Sequence, residues 1–268
     1  MILSRYIAVG LAISITLPAA RAGTPEVEEI VARTEQAAYF SGNDGRAQVT
    51  MTISDRQGRE RRRRMTILRK NAAPETKGND ARQKYYVYLH YPADVRDTVL
   101  MVWKQGERDD DRWLYMPALD LVRRIAAGDK RTSFLGSDFF YEDISGRNTD
   151  EDHHRLESVS DNYYVLHSTP KTPGSAEFAS FRMWIHKTSY LPVKAEFYDA
   201  GQTPLRTYEA LEVETIQDYP TVVRARMIDH RSGSQTELAF EEIAYDLDLE
   251  DGLFSERYLR NPPRRKLQ

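Results

Sequence analysis

From Val49 to Tyr245 one pattern recurs: short runs in which branched and aromatic residues alternate with polar ones, closed off by Gly, Asn, Asp or Pro. Side chains of a strand point alternately to its two faces, so a period of two marks a ribbon with one buried side. Val49, Met51 and Ile53 alternate with Thr50, Thr52 and Ser54; Asp55 to Gly58 makes the turn, and the return strand runs through Arg64 to Arg69. Further strands are expected at Lys84 to Tyr91, Thr98 to Lys104, Tyr163 to His167, Phe178 to His186, Val193 to Tyr198, Leu205 to Glu214, Val222 to Asp229 and Thr236 to Tyr245. Short turns such as Asp199 to Gln202 and Arg231 to Ser234 join neighbours directly, and hairpins of that length require antiparallel pairing. The fold class is therefore mainly antiparallel β with helices, α+β. Pro25 to Tyr39 supplies a helix, with Val27, Ile30, Val31 and Thr34 at near-helical spacing and Glu26, Glu28 and Glu29 near its positive end. Tyr85, Tyr86, Tyr88 and Tyr91 place aromatics on both faces of one strand. Two apolar faces imply two coverings, or ordinary packing of amphipathic tyrosines.

Ahead of this region, Arg5 precedes an apolar run from Tyr6 to Leu17, and Ala20-Arg21-Ala22 offers small residues for cleavage. Residues 1–22 read as a secretory signal, and 23–268 as one domain without internal repeats or a linker. Losing Arg5 and Arg21 takes the formal net charge from −3 to −5, which gives no general attraction to nucleic acid. Cysteine is absent, which excludes disulfides, thiolate metal sites and a lipidated N-terminal cysteine. Asn71 to Asp80 reads as an exposed polar loop.

The stretch Trp113 to Arg147 is the most informative. Strands are expected around Trp113–Met116 and Leu121–Ile125, with Pro117 between them, and Ser137 or Asp138 is placed to cap a short helix holding Phe139, Phe140 and Tyr141. Consecutive helical residues point apart, so at least one aromatic should face a groove, a lid contact or a ligand; a buried loop on a sheet is the plainer alternative. Trp113-x-Tyr115-x-Pro117-Ala118, then Arg123-Arg124-Ile125, then Ser133-Phe134 through Gly136-Ser137-Asp138-Phe139 to Tyr141-Glu142-Asp143 resembles the LolA-like outer-membrane lipoprotein-sorting family. The resemblance is stronger to its longer branch, associated with RND/MMPL-type exporters. Looser similarity runs from the mature N-terminus to Leu259, through Tyr164-Val165-Leu166, Pro170 and Phe254 to Leu259.

That resemblance implies a strongly curved open sheet, a half-barrel, with helices plugging its concave face and an apolar cavity between. It implies a non-catalytic periplasmic carrier that moves lipid or lipoprotein acyl chains toward an outer-membrane acceptor. The alternative is an accessory or regulatory subunit of an RND/MMPL-type exporter. Candidate cavity or lid residues are Trp103, Trp113, Tyr115, Met116, Leu119, Phe134, Leu135, Phe139, Phe140, Trp184 and Phe197, each equally eligible for plain core.

There is no Gly-x-Ser-x-Gly elbow, phosphate-binding glycine loop, dinucleotide fingerprint or His-Glu-x-x-His, and no cofactor is called for. His153 and His154 follow three acidic residues, but neighbours on a strand face opposite ways, so an exposed turn is expected there rather than a metal site. Asp109 to Asp111 reads as a solvated hairpin tip. Glu142 and Asp143 make a poor acid/base couple and are expected to pair with Arg123 or Arg124, tying the aromatic segment to the sheet edge. The run Arg59, Arg61, Arg62, Arg63 and Arg64 suits a solvated or edge strand, or anionic headgroups and an acidic partner. The signal reading predicts cleavage after Ala22: the intact mass of the exported protein should start at Gly23, and a mature form retaining Met1 to Ala22 would make the segment an anchor.

Overall fold

The computed structural model describes residues 24–72, 82–106 and 108–267; the signal segment and most of the loop expected at Asn71 to Asp80 lie outside the described residues. The strands are β1 (Asp44–Ser54), β2 (Glu60–Asn71), β3 (Arg82–Tyr91), β4 (Val99–Gln105), β5 (Asp111–Met116), β6 (Leu121–Ile125), β7 (Asp152–Val159), β8 (Tyr163–Pro170), β9 (Ser180–His186), β10 (Pro192–Tyr198), β11 (Pro204–Ile216), β12 (Tyr219–Asp229) and β13 (Ser234–Tyr245). They form one 13-stranded sheet in the order β6-β5-β4-β3-β2-β1-β13-β12-β11-β10-β9-β8-β7. Every ladder is antiparallel. The sheet is curved and open: β6 and β7 stand at its two ends, and no ladder joins them among the described residues. They are nonetheless consecutive in sequence, so residues 126–151 must travel from one end of the sheet to the other.

That link crosses the concave face. Phe134 and Phe139 are buried against Val49 and Met51 of β1, Met65 of β2, Tyr85 and Val87 of β3, Leu100 and Val102 of β4, Met227 of β12 and Leu238 of β13. The short helix α2 begins only at Tyr141 and ends at Ser145, so neither Ser137 nor Asp138 caps it. Ser133 and Phe140 instead form an isolated bridge, the Phe134 N–H donates to the Phe139 carbonyl (2.8 Å), and the aromatics sit around a tight turn. The turn is preferred because Asp138 is consumed elsewhere: its Oδ2 accepts from Thr236 Oγ1 (2.6 Å), its Oδ1 accepts from Ser234, and its N–H donates to Thr236 Oγ1 (3.0 Å). The Asp143 carboxylate then takes the Phe140 N–H at the start of α2 (2.7 Å), one of the amides a helix start leaves unpaired.

The convex face of β2–β5 has its own cover. Leu68, Tyr86, Tyr88, Met101 and Tyr115 pack beneath Leu253, Phe254, Leu259 and Leu267 from the chain's last segment, which includes helix α3 (Arg257–Arg260). Trp103 Nε1 donates to the Phe254 carbonyl (2.8 Å), Tyr86 OH to that of Tyr258 (2.7 Å), and Thr66 Oγ1 to that of Leu267 (2.7 Å). Alternation in β3 therefore serves two cores, with Tyr85, Val87 and Leu89 facing in and Tyr86 and Tyr88 facing out. Helix α1 (Val27–Tyr39) covers the other half of the concave face, seating its fully buried Ile30 on Tyr164, Leu166 and Ile185.

Two polar expectations are corrected. His153 and His154 lie within β7, not on an exposed turn, and His154 is half-buried with its ring between Ser168 Oγ (2.7 Å) and the Thr149 carbonyl (2.9 Å). Asp110 and Asp111 are not a solvated tip: the Asp110 carboxylate is 5% exposed against an Arg112 that is 2% exposed (2.6 Å), and Asp111 pairs with Arg108 and Arg124. The basic run begins just before β2 and continues along it, a solvated strand as expected but an interior one: Arg59, Arg61, Arg62 and Arg64 are exposed, while Arg61 donates to the Gly136 carbonyl (3.2 Å) and Arg63 to that of Leu135 (3.1 Å), holding the tight turn of the link. The outer cover yields a stability prediction: Phe254 is 1% exposed, so Phe254→Ala should cost about 3–5 kcal/mol, read as a lowered denaturant midpoint.

Candidate functional site

Between α1, the link and the concave face of the sheet lies a cavity of about 430 Å³. Strand parity builds its wall. Leu166 and Ser168 of β8, Phe181, Met183 and Ile185 of β9, Ala195 and Phe197 of β10 and Ala225 and Met227 of β12 recur at every second position and so face one way. Helix α1 adds Val31, Thr34, Glu35 and Ala38, spaced i, i+3, i+4 and i+7 along one stripe. The link contributes Phe139, Glu142, Asp143, Ile144 and residues 146–149. Gly146 is required where link and helix meet: its φ is +76°, and a Cβ there would lie 2.6 Å from the Tyr39 ring.

One part of the wall is aromatic. Phe178, Phe181 and Phe197 have ring centroids 5.1–5.6 Å apart, and Arg147 lies over Phe178 (5.5 Å). Arg206, 2% exposed, stacks over Phe140 (3.8 Å) and Phe197 (5.1 Å) while bonding Asp143 and Glu177 (2.7 Å each). Burial works against the charge of this guanidinium, but the two carboxylates outweigh it and raise its pKa. Beside it, Glu142 pairs with Lys130 (3.0 Å) and Arg147, and Arg147 reaches Asp152 (2.9 Å). Near the α1 end, burial raises the Glu35 pKa against the pull of Lys104, depresses that of Lys104, and pushes the Tyr39 phenol up to about 12. Lys104 Nζ donates to the Gly146 carbonyl (2.8 Å).

Of the residues named from sequence, Phe139 and Phe197 line this cavity. Phe134 is fully buried beside it, Leu135 and Met116 pack on the same core, and Phe140 carries Arg206. Trp103, Trp113 and Tyr115 lie on the opposite face beneath the C-terminal segment, the two indoles edge to face at 4.9 Å. Trp184 alternates with the inward Met183 and Ile185 and lies under Lys194 (4.9 Å) on the other side, and Leu119 is 68% exposed. Glu142 and Asp143 are ion-paired, but with Lys130, Arg147 and Arg206; Arg123 pairs with Asp129 (2.9 Å) and Arg124 with Asp111. Missed were Phe178, Phe181, Met183, Met227 and the α1 stripe. Counting β9 by twos from Phe181 would have separated Met183 and Ile185 from Trp184. No group of three or more His, Cys, Asp or Glu among the described residues is arranged to hold a metal. No helix among them is long and apolar enough to cross a membrane.

Solved structures share this architecture. A DUF1329 family protein from Desulfovibrio piger is 28% identical with a TM-score of 0.77, covering 86% of this chain and 96% of its own. A domain assigned to outer-membrane lipoprotein sorting from Vibrio parahaemolyticus is 26% identical with a TM-score of 0.74, covering 87% and 96%. A LolA superfamily protein from Nitrosomonas europaea, 23% identical with a TM-score of 0.65, covers 88% and 100% and shares the fold. No curated protein matches. A family model described as "uncharacterized protein" matches residues 81–261. The chain belongs to this LolA-like family.

The half-buried carboxyl of Glu35 on α1 gives a pH prediction. A folded-state pKa above the ordinary 4.5 means that Glu35 favours the fold below about pH 4.5 and loses that contribution as pH rises through its folded value. Glu35→Gln should therefore melt higher than the parent at pH 7, with the difference closing on acidification below about pH 4.5 in parallel thermal scans.

Proposed function

We propose that the protein is a non-catalytic periplasmic carrier that shields acyl chains of lipid or lipoprotein in this cavity and passes them toward an outer-membrane acceptor. The observation that carries the reading is the cavity itself: an apolar space of about 430 Å³, open between a curved sheet and one helix, with Phe, Met, Leu and Ile along its wall. Ligand pockets typically span about 300–1,000 Å³. Transfer through water needs apolar shielding, since each buried methylene is worth about 0.8 kcal/mol. The class of fold supports a carrier role in general, and the family resemblance adds an RND/MMPL-type inner-membrane exporter as a partner. The ligand is held against Phe139 and Phe197, with the Arg206 guanidinium lying over Phe197 and Phe140.

The test fills the cavity from α1, where a larger side chain disturbs the sheet least. Ala38→Trp should weaken binding of a fluorescent acyl probe by about tenfold or more, the loss of some 1.4 kcal/mol. Trp184→Ala, on the opposite face, should leave it within about twofold. Parent protein that binds no acyl probe, or Ala38→Trp that binds as well as the parent, would sink the carrier reading.

A further inference from the structure

The hairpin of β11 and β12 outruns the strands on either side of it. β10 pairs with β11 only as far as Glu209, and β13 pairs with β12 only as far as Arg224, so residues 210–223 leave the sheet as a two-stranded arm. Register shifts that skip Leu211 and Val223 mark the departure on both strands. Pro220, Thr221 and Val222 of the arm line the cavity.

The two edges of the arm differ. On the β12 side it is fastened: the Gln217 side-chain amide donates to the Tyr245 carbonyl (3.1 Å) and accepts from the Tyr245 N–H (2.8 Å), Tyr219 OH donates to Asp246 (3.1 Å), and the Tyr219 and Tyr245 rings meet edge to face at 5.0 Å. Gln217 and Asp218 hold left-handed backbone at the turn (φ 48° and 66°), which residues with a side chain keep only where their surroundings impose it. On the β11 side, residues 210–216 have no further backbone partner among the described residues. At about 3.3 Å per residue they present roughly 23 Å of open strand edge.

Open edges in folded proteins are usually short, or guarded by lysine or proline. This one has neither. It carries Leu211 and Val213, 37% and 44% exposed, beside Glu212, Glu214 and Thr215, which are exposed as well. Val213 pairs with Val222, so the apolar lining of the cavity continues onto the arm. Glu212 meets Arg224 only at 3.7 Å, and Glu214 and Asp218 form no ion pair among the described residues. These charges decide what can pair here. Two copies of the edge joined antiparallel would set glutamates against glutamates, and like charges directly opposite destabilise a ladder. A strand carrying cations at those positions gains where a second copy loses.

We infer that residues 210–216 of β11 are a docking edge for a partner protein, taking as an added strand an extended segment in which basic residues alternate with apolar ones. Main-chain hydrogen bonds hold the segment, Leu211 and Val213 receive its apolar side chains, and Glu212 and Glu214 receive its cations. The inference goes beyond the carrier reading and does not rest on it. A partner bound there lies beside the cavity whatever the cavity holds.

The test is fluorescence anisotropy on the full chain, with a labelled heptapeptide of alternating lysine and valine blocked at both ends, in about 150 mM salt. It should bind about tenfold tighter than its glutamate–valine counterpart. A copy methylated on every backbone amide nitrogen keeps the charge but loses the donors, and should bind about tenfold more weakly. Glu214→Lys and Val213→Lys, at exposed positions that make no ion pair, should each weaken the lysine peptide about fivefold, whereas Glu256→Lys, the same change of charge beside α3, should leave it within about twofold. Absence of binding, equal binding of the methylated copy, or affinity that survives both Glu214→Lys and Val213→Lys overturns the docking edge. Equal loss on Glu214→Lys and Glu256→Lys overturns it too, as general charge attraction only. None of these outcomes bears on the acyl cavity, which Ala38→Trp tests separately.

Discussion

A charged side chain withdrawn from water holds the ends of this sheet in relation to each other. Arg206 projects from β11 into the concavity, where two carboxylates from different parts of the chain converge on it: Asp143 from the link and Glu177 from the loop before β9. It also donates to the Asp138 carbonyl (3.2 Å) and lies on the Phe140 ring. An open sheet has no closing ladder to fix its curvature, so something inside the curve must. Here a guanidinium fixes it, because burying one without partners would cost several kcal/mol and the partners therefore have to stay. Its planar fork bonds one carboxylate at each arm while its face stacks on aromatic rings, which lysine could not do.

From that anchor the division of the concave face follows. The turn at Phe134–Phe139 is tied on one side by Arg61 and Arg63 of β2 and on the other by Ser234, Thr236 and Arg206, so it fills the concavity under β1–β6 with side chains. The link then passes through Gly146 beneath Tyr39, and α1, residues 146–149 and Phe178 line the space under β8–β12. The cavity opens where the turn ends, and its wall runs from β8–β12 on to β13, β1, Ile67 of β2 and Tyr85 of β3. The outer face shows the complementary economy: where β2–β5 carry apolar residues outward the last segment covers them, and where β11–β13 carry Glu209, Arg226, Arg224 and Glu237 outward they need no cover.

The sheet was legible in the sequence because strand periodicity is local. The alternation of Val49, Met51 and Ile53 and the doubled faces of Tyr85 to Tyr88 depend on neighbours two residues away. The site was less legible because facing is relative. Trp103 and Trp113 are as apolar as Phe181 and Phe197, and only knowing which side of β4 and β5 lies under the C-terminal segment sends the indoles outward. β7 was missed because its charged residues, His153, Arg155 and Glu157, conceal its alternation at a sheet end where one edge lacks a partner. The ion pairs escaped for a different reason: Glu142 and Asp143 were matched to the arginines of β6, whereas the link itself supplies Lys130 and Arg147 to Glu142 and the curvature of the sheet delivers Arg206 to Asp143 from more than sixty residues away.

On the carrier reading proposed above, the cavity has to satisfy opposing demands, because it must also release what it holds. Aromatic and aliphatic side chains favour any acyl chain by roughly 0.8 kcal/mol per methylene, so a purely apolar wall would bind in proportion to chain length and let go slowly. Polar groups at the wall subtract from that affinity wherever the ligand fails to match them, and add specificity where it succeeds. Arg206, Asp143 and Glu177 exert little of this effect, since they are already occupied with one another. Glu35, half-exposed and without an ion pair among the described residues, exerts more of it from α1, which is fastened to the sheet through Ile30 and at Tyr39.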